Sequence, residues 1–152
     1  MAVDPGIIGK EFPPMHLTVE AGRLRFFAQA IGETDPVYTD VEAAKAAGYA
    51  DLPVPPTFLF AIELDSPDAF GFLAEAGVDL RFILHGEQSF AYHSIAYPGD
   101  VLTASPRITD VYSKKGGALE FIVKETAITR ADGSAVADLK SVIVVRNLGA
   151  GQ

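Results

Sequence analysis

The apolar positions follow a helical period in the first half of the chain and a twofold period from about Phe82 onward. Thr18 stands where an N-cap would, before a helix running to about Ile31 with Leu24, Phe27 and Ile31 on one face. Gly32 ends it. A loop follows, Glu33-Thr34-Asp35-Pro36-Val37-Tyr38, in which Pro36 biases Asp35 away from helix. Asp40 opens a short alanine-rich helix that Gly48 closes. In Pro53-Val54-Pro55-Pro56-Thr57-Phe58-Leu59-Phe60-Ala61-Ile62, Pro56 suits the first turn of a helix, where its missing N–H costs nothing. The residues after it are apolar on nearly every face, so this helix is expected to be buried all round. Ser66-Pro67 reads as the cap and first residue of a further helix through Ala76, stopped by Gly77.

The second half reads as four strands divided by Pro98-Gly99-Asp100, Lys114-Lys115-Gly116-Gly117 and Ala131-Asp132-Gly133. In the last strand Ala135, Ala137, Leu139, Ser141, Ile143 and Val145 alternate with Asp138, Lys140 and Arg146, the pattern of a sheet buried on one face. Pro106 implies an edge or a bulge in the second strand. Helices first and strands afterwards argue against a doubly wound parallel sheet. With no repeat and no linker, the expectation is a single α+β domain over residues 1–152, a long apolar helix wrapped by a curved antiparallel β-sheet. This is the hotdog architecture. Ile7-Ile8-Gly9-Lys10 is the candidate for a strand donated early.

Composition narrows the partners. Apolar residues make up 49% of the 152, and the formal charge of −8 argues against nucleic acid, which binds through clustered Lys and Arg. The absence of cysteine removes disulfides, thiol nucleophiles and thiolate metal sites. Residues 1–6 lack the basic and apolar regions of a signal peptide. Pro53 to Leu64 is too short to span a bilayer and contains Glu63, so a cytoplasmic protein without a membrane partner is expected.

His16 falls in a loop beside Pro13 and Pro14 and reads as a surface residue. His85 and His93 both fall on the first strand of the run, eight residues apart and therefore on one face. No spacing resembles a zinc motif, so no metal is expected. There is no nucleophile elbow, phosphate loop or dinucleotide fingerprint, and no cofactor is expected. His93 reads as an ordinary strand histidine. His85 stands out more, among Gly86, Glu87 and Gln88. The remaining candidate runs from Gly32 through Phe58. Its loop carries Glu33, Asp35 and Tyr38 and leads to a helix start at Pro56, where the Thr57 and Phe58 amides could face an oxyanion.

Gly32-Glu33-Thr34-Asp35-Pro36-Val37-Tyr38-Thr39-Asp40, the alanine-rich helix to Gly48-Tyr49, and Pro55-Pro56-Thr57-Phe58 resemble the N-terminal MaoC-type dehydratase domain, also called the fatty-acid-synthase-like dehydratase domain. Leu84-His85-Gly86-Glu87-Gln88, Tyr97-Pro98-Gly99-Asp100 and the Asp132-Gly133 turn agree with it. The resemblance implies a hotdog fold and a lyase that interconverts (3R)-hydroxyacyl and trans-2-enoyl thioesters, carried by CoA or acyl-carrier protein. In active members an aspartate and a histidine share a water, with an asparagine before proline between them, and a helix amide holds the thioester oxygen. In this chain those positions hold Glu33, Tyr38 and Asp35, and the glycine of the helix amide falls at Thr57. The resemblance thus implies a retained acyl site, with Asp35, Pro56, Thr57, Phe58 and His85 as binding candidates, and a degenerate catalytic pair at Glu33 and Tyr38. It points to the substrate-holding chain of a homodimer or of a heterodimer with a catalytic MaoC-type subunit. Two alternatives stand beside this: a self-sufficient hydratase using Glu33, with His85 for the missing histidine, and a non-enzymatic acyl-thioester binder.

Overall fold

The computed structural model describes residues 3–148. Five antiparallel strands form one sheet: β1 (Met15–Thr18), β2 (Ile83–Tyr92), β3 (Val101–Lys114), β4 (Leu119–Arg130) and β5 (Ala135–Arg146), in the order β1-β3-β4-β5-β2. The hairpins β3–β4 and β4–β5 turn where Gly116-Gly117 and Asp132-Gly133 predict, with Gly116, Gly117 and Gly133 at positive φ. The helices are α1 (Ala21–Ala30), α2 (Val41–Ala46), α3 (Ala61–Leu64) and α4 (Gly71–Glu75). Asp40 caps α2 by accepting from the Glu42 amide at 2.9 Å. Leu24 of α1, Ala44 of α2, and Leu52, Phe58 and Ile62 pack on Leu102, Ile128 and Leu139 of the sheet. A second apolar cluster joins Leu73 and Val78 to Ile108, Ile122 and Ile143.

Several local expectations are corrected. Ile7–Lys10 is not a strand: Pro5–Ile7 forms a 3₁₀ turn, capped by Asp4 and burying Ile7. The early strand is β1, which pairs with β3 from Met15↔Ala104 to Thr18↔Val101. Thr18 therefore belongs to that ladder and Glu20 takes the N-cap position of α1, without a side-chain bond. His16 lies on β1, exposed, with Nδ1 3.0 Å from the Thr103 hydroxyl. The helix expected from Ser66 to Ala76 shrinks to α4; Ser66 instead accepts from the Asp68 amide in a turn. The central apolar segment is shorter than its hydropathy suggests, a 3₁₀ turn over Pro56–Phe60 followed by the single turn of α3. It stops before Pro67, which disfavours helix at Ser66. Pro106 lies beyond the end of the β1 pairing, in register with Thr126 and ahead of a bulge at Ile108/Asp110, and its carbonyl accepts from the Phe12 amide at 3.0 Å, so it marks neither a free edge nor the bulge itself.

β2 is interrupted by a bulge between His85 and Glu87. Gly86 is the residue that permits it. A Cβ there would stand 2.7 Å from Val144 Cγ2 and 3.1 Å from the Val142 carbonyl oxygen. Gly86→Ala should therefore lose about 1–3 kcal/mol through overpacking. Urea unfolding measures this, and an unchanged midpoint would show that the bulge tolerates a side chain.

Candidate functional site

The loop after α1 is built by its own carboxylates. Glu33 Oε1 accepts from the Thr34 and Asp35 amides, both at 2.9 Å, and Asp35 Oδ1 accepts from the Val37 amide at 3.1 Å. Asp35 thereby caps the 3₁₀ turn Pro36–Tyr38. The Tyr38 phenol is pushed above its ordinary pKa, first by burial and then by Tyr49, Glu33 and Asp35 nearby. At neutral pH it is an uncharged hydrogen-bonding group and no base. Tyr38 and Tyr49 line a cavity of about 320 Å³ together with Pro56, Leu59, His93 and Val136.

Pro56 and Thr57 are exposed at the start of the apolar segment, while Phe58 is buried with its ring edge-on to Phe27 at 5.4 Å. The Phe58 amide donates to the Pro55 carbonyl at 3.0 Å and is occupied within the turn. Thr57, the second residue of the turn, has no acceptor inside it for its own N–H. Of the two amides singled out from the sequence, Thr57 is the one open to a ligand. Arg23 holds the far end of the segment through two 3.0 Å bonds to Asp65.

His85 is elsewhere. The bulge turns its ring onto Phe60, stacked at 5.5 Å, with Nε2 3.1 Å from Gln88 Oε1, which also accepts from the Ser141 hydroxyl at 2.5 Å. It lines a separate cavity of about 210 Å³ with Phe60, Glu63, Leu64, Lys124 and Ser141. Tyr38 and His85 thus border cavities on different faces of the same apolar segment. The two histidines expected on one strand face also part: β2 ends at Tyr92, and His93 lies just beyond it with Nε2 2.7 Å from Asp138 Oδ2.

Sequence reasoning passed over two features. One is the His93–Asp138 pair at the cavity of Tyr38. The other is a buried ion pair between Glu63 of α3 and Lys124 of β4, joined by the Thr126 hydroxyl. Its only signal was a glutamate inside the most apolar segment of the chain. Among the described residues no group of three or more His, Cys, Asp or Glu could hold a metal ion, and no helix is long and apolar enough to cross a membrane.

Residues 6–139 match the family described as FAS1-like, dehydratase domain region. The chain belongs to this family. A UPF0336 protein of Saccharopolyspora erythraea is 36% identical over 148 residues, which cover 96% of this chain and 93% of that one. A UPF0336 protein of Streptomyces avermitilis is 42% identical over 118 residues, 76% and 78% of the two chains. Among solved structures, a chain of the HadBC (3R-hydroxyacyl-ACP dehydratase) complex of Mycobacterium tuberculosis superposes with a TM-score of 0.76 at 26% identity, covering 95% of this chain and 99% of that one. A chain of the ChsH1–ChsH2 complex of the same organism gives 0.74 at 22% identity, over 90% and 89%. The curled five-stranded sheet around the apolar segment is the MaoC-like hotdog fold.

Proposed function

We propose that this FAS1-like dehydratase-family chain is the substrate-holding subunit of a (3R)-hydroxyacyl-thioester dehydratase or enoyl-thioester hydratase. A second hotdog subunit supplies the aspartate and histidine that move the proton at C2 and the water at C3. The observation that carries this is the state of the two positions where the resemblance calls for that pair. Glu33 is tied into its own turn, and Tyr38 is held protonated. Tyr38 cannot serve as the base that activates water, and one oxygen of Glu33 is committed to two backbone amides. The Thr57 amide, by contrast, remains available at the entry to the apolar segment to donate to a thioester oxygen.

The surface supports a partner. β2 is an edge strand whose outer side is unpaired among the described residues, a template for pairing with another sheet. Leu64, Phe70, Leu80, Leu84, Tyr92 and Ile95 are exposed on β2 and the segments beside it, a concentration that marks an interaction face. The HadBC and ChsH1–ChsH2 complexes, which this fold resembles, are themselves assemblies of such chains. A heterodimer joined at β2 with a catalytic MaoC-type chain, acting on an acyl-CoA or acyl-ACP, fits these features.

The purified chain alone should leave crotonyl-CoA unhydrated, and Glu33→Gln should change nothing. Measurable hydration by the chain alone that Glu33→Gln abolishes would instead make this a self-sufficient enzyme. The carbonyl contact has its own test. Replacing Thr57 by its α-hydroxy acid, which exchanges the N–H for an ester oxygen, should weaken saturated acyl-CoA binding by about 1–3 kcal/mol, as a lost hydrogen bond does. Thr57→Ser should bind as the parent does. Equal affinity for all three proteins would show that the thioester docks elsewhere.

A further inference from the structure

The apolar cavity beside His85 has an unusual end. Its walls are Phe60, Leu64, Phe70, Leu73, Ile83 and Ile143, but Glu63 and Lys124 also face it. A second cavity of about 300 Å³, lined by Phe12, Pro14, Asp68, Glu75 and Pro106, lies on the other side of the same groups. The residues common to both linings are Glu63, Ala69, Phe72 and Lys124. Glu63 and Lys124 are only 4% and 6% exposed, and the Lys124 ammonium sits 4.6 Å from the centre of the Phe72 ring. The partition between an apolar pocket and a more polar one is therefore a desolvated ion pair braced by an aromatic ring.

Its position relative to Thr57 gives the partition a meaning. In a 3₁₀ turn, residues three apart eclipse one another. Pro56 and Leu59 face the cavity of Tyr38, whereas Phe60, one 3₁₀ turn on from Thr57, and then Glu63 of α3 line the cavity of His85. From Thr57 to Glu63 the rise is roughly 10 Å, at about 2.0 Å per residue in the 3₁₀ turn and about 1.5 Å in the α-turn.

We propose that the Glu63–Lys124 pair is the end wall of the acyl pocket and limits the chain length that the protein accepts. The inference rests on the acyl-thioester reading above. Each methylene laid along Phe60, Leu73 and Ile143 leaves water for an apolar wall. At the pair the next methylene meets two charges already satisfied by each other and by Thr126, and cannot pass without separating them.

The experiment is affinity against chain length, measured by calorimetry on the full chain with saturated butyryl-, octanoyl-, dodecanoyl- and palmitoyl-CoA. Affinity should rise by up to about fourfold per methylene, as burial of each predicts, and then break, levelling or falling at the longer chains. In the double variant Glu63→Leu with Lys124→Met the break should move to longer chains. Glu63→Gln with Lys124→Gln, which removes the charges and keeps hydrogen-bonding groups, is the second variant and should move the break in the same direction; circular dichroism establishes which variant is folded. A break at the same length in a folded charge-free variant, or an unbroken rise in the parent, would overturn the end wall while leaving the acyl-thioester reading intact. Failure of every thioester to bind the parent would overturn both.

Discussion

Lys124→Met alone should cost about 3–5 kcal/mol of unfolding free energy, because it strands Glu63 as an unpaired charge in the core. Glu63 sits on α3 with its two oxygens taken by Lys124 and the Thr126 hydroxyl, and every buried side-chain nitrogen and oxygen among the described residues has a partner. Removing the lysine leaves one hydroxyl to satisfy a carboxylate that water hardly reaches. Glu63→Leu together with Lys124→Met should instead lie close to the parent, since a buried pair exchanged for apolar residues of similar size is often neutral or stabilising. The double variant should thus be several kcal/mol better than the sum of the single ones. Urea unfolding of the four proteins closes the cycle. Additive losses would mean that water reaches the pair in solution.

The second large effect concerns Phe58. Its side chain is 2% exposed, packed edge-on against Phe27 and under the Arg23 guanidinium. Phe58→Ala should destabilise the protein by about 3–5 kcal/mol, the range for deleting a buried aromatic ring. Because Phe58 joins the 3₁₀ turn to α1, the substitution should also weaken acyl-CoA binding by loosening the turn that presents the Thr57 amide. Phe58→Leu, which refills most of the volume, should recover most of both. Loss of binding with unchanged stability would mean that the ring touches the ligand directly, a role its burial argues against.

The features legible in the sequence are those fixed by neighbours along the chain. Asp40 caps α2 because its carboxylate reaches an amide two residues on, and the β3–β4 and β4–β5 hairpins turn at glycines, which take positive φ at little cost. The alternation in β5 holds from Ala137 to Ser141, while Ala135 is exposed and Val136 and Val142 of the opposite face are buried as well. What escaped depends on distant pairing. Thr18 has the chemistry of an N-cap, but its bond to the ladder at Val101 outweighs that preference. His85 and His93 count as one face only in a regular strand, and the bulge at Gly86 breaks the count. Glu63 and Lys124 lie 61 residues apart, so neither announces the other until the sheet brings β4 beneath α3. At the candidate site, the resemblance alone sets Glu33 and Tyr38 at the positions of the usual pair. The separation of Tyr38 from His85, and the loss of the Phe58 amide to the Pro55 carbonyl, needed the fold.

The central claim is that this chain holds an acyl thioester for chemistry performed by another subunit. Its most direct test is reconstitution with a catalytic MaoC-type hotdog subunit that carries the aspartate–histidine pair. The two chains are co-expressed, purified as one species, and assayed for crotonyl-CoA hydration beside each chain alone. The account predicts a stable complex whose rate far exceeds that of either component, lost when charged residues are placed on the β2 edge at Leu84 and Tyr92. A catalytic partner that is equally active without this chain, or a mixture that never associates, would contradict it.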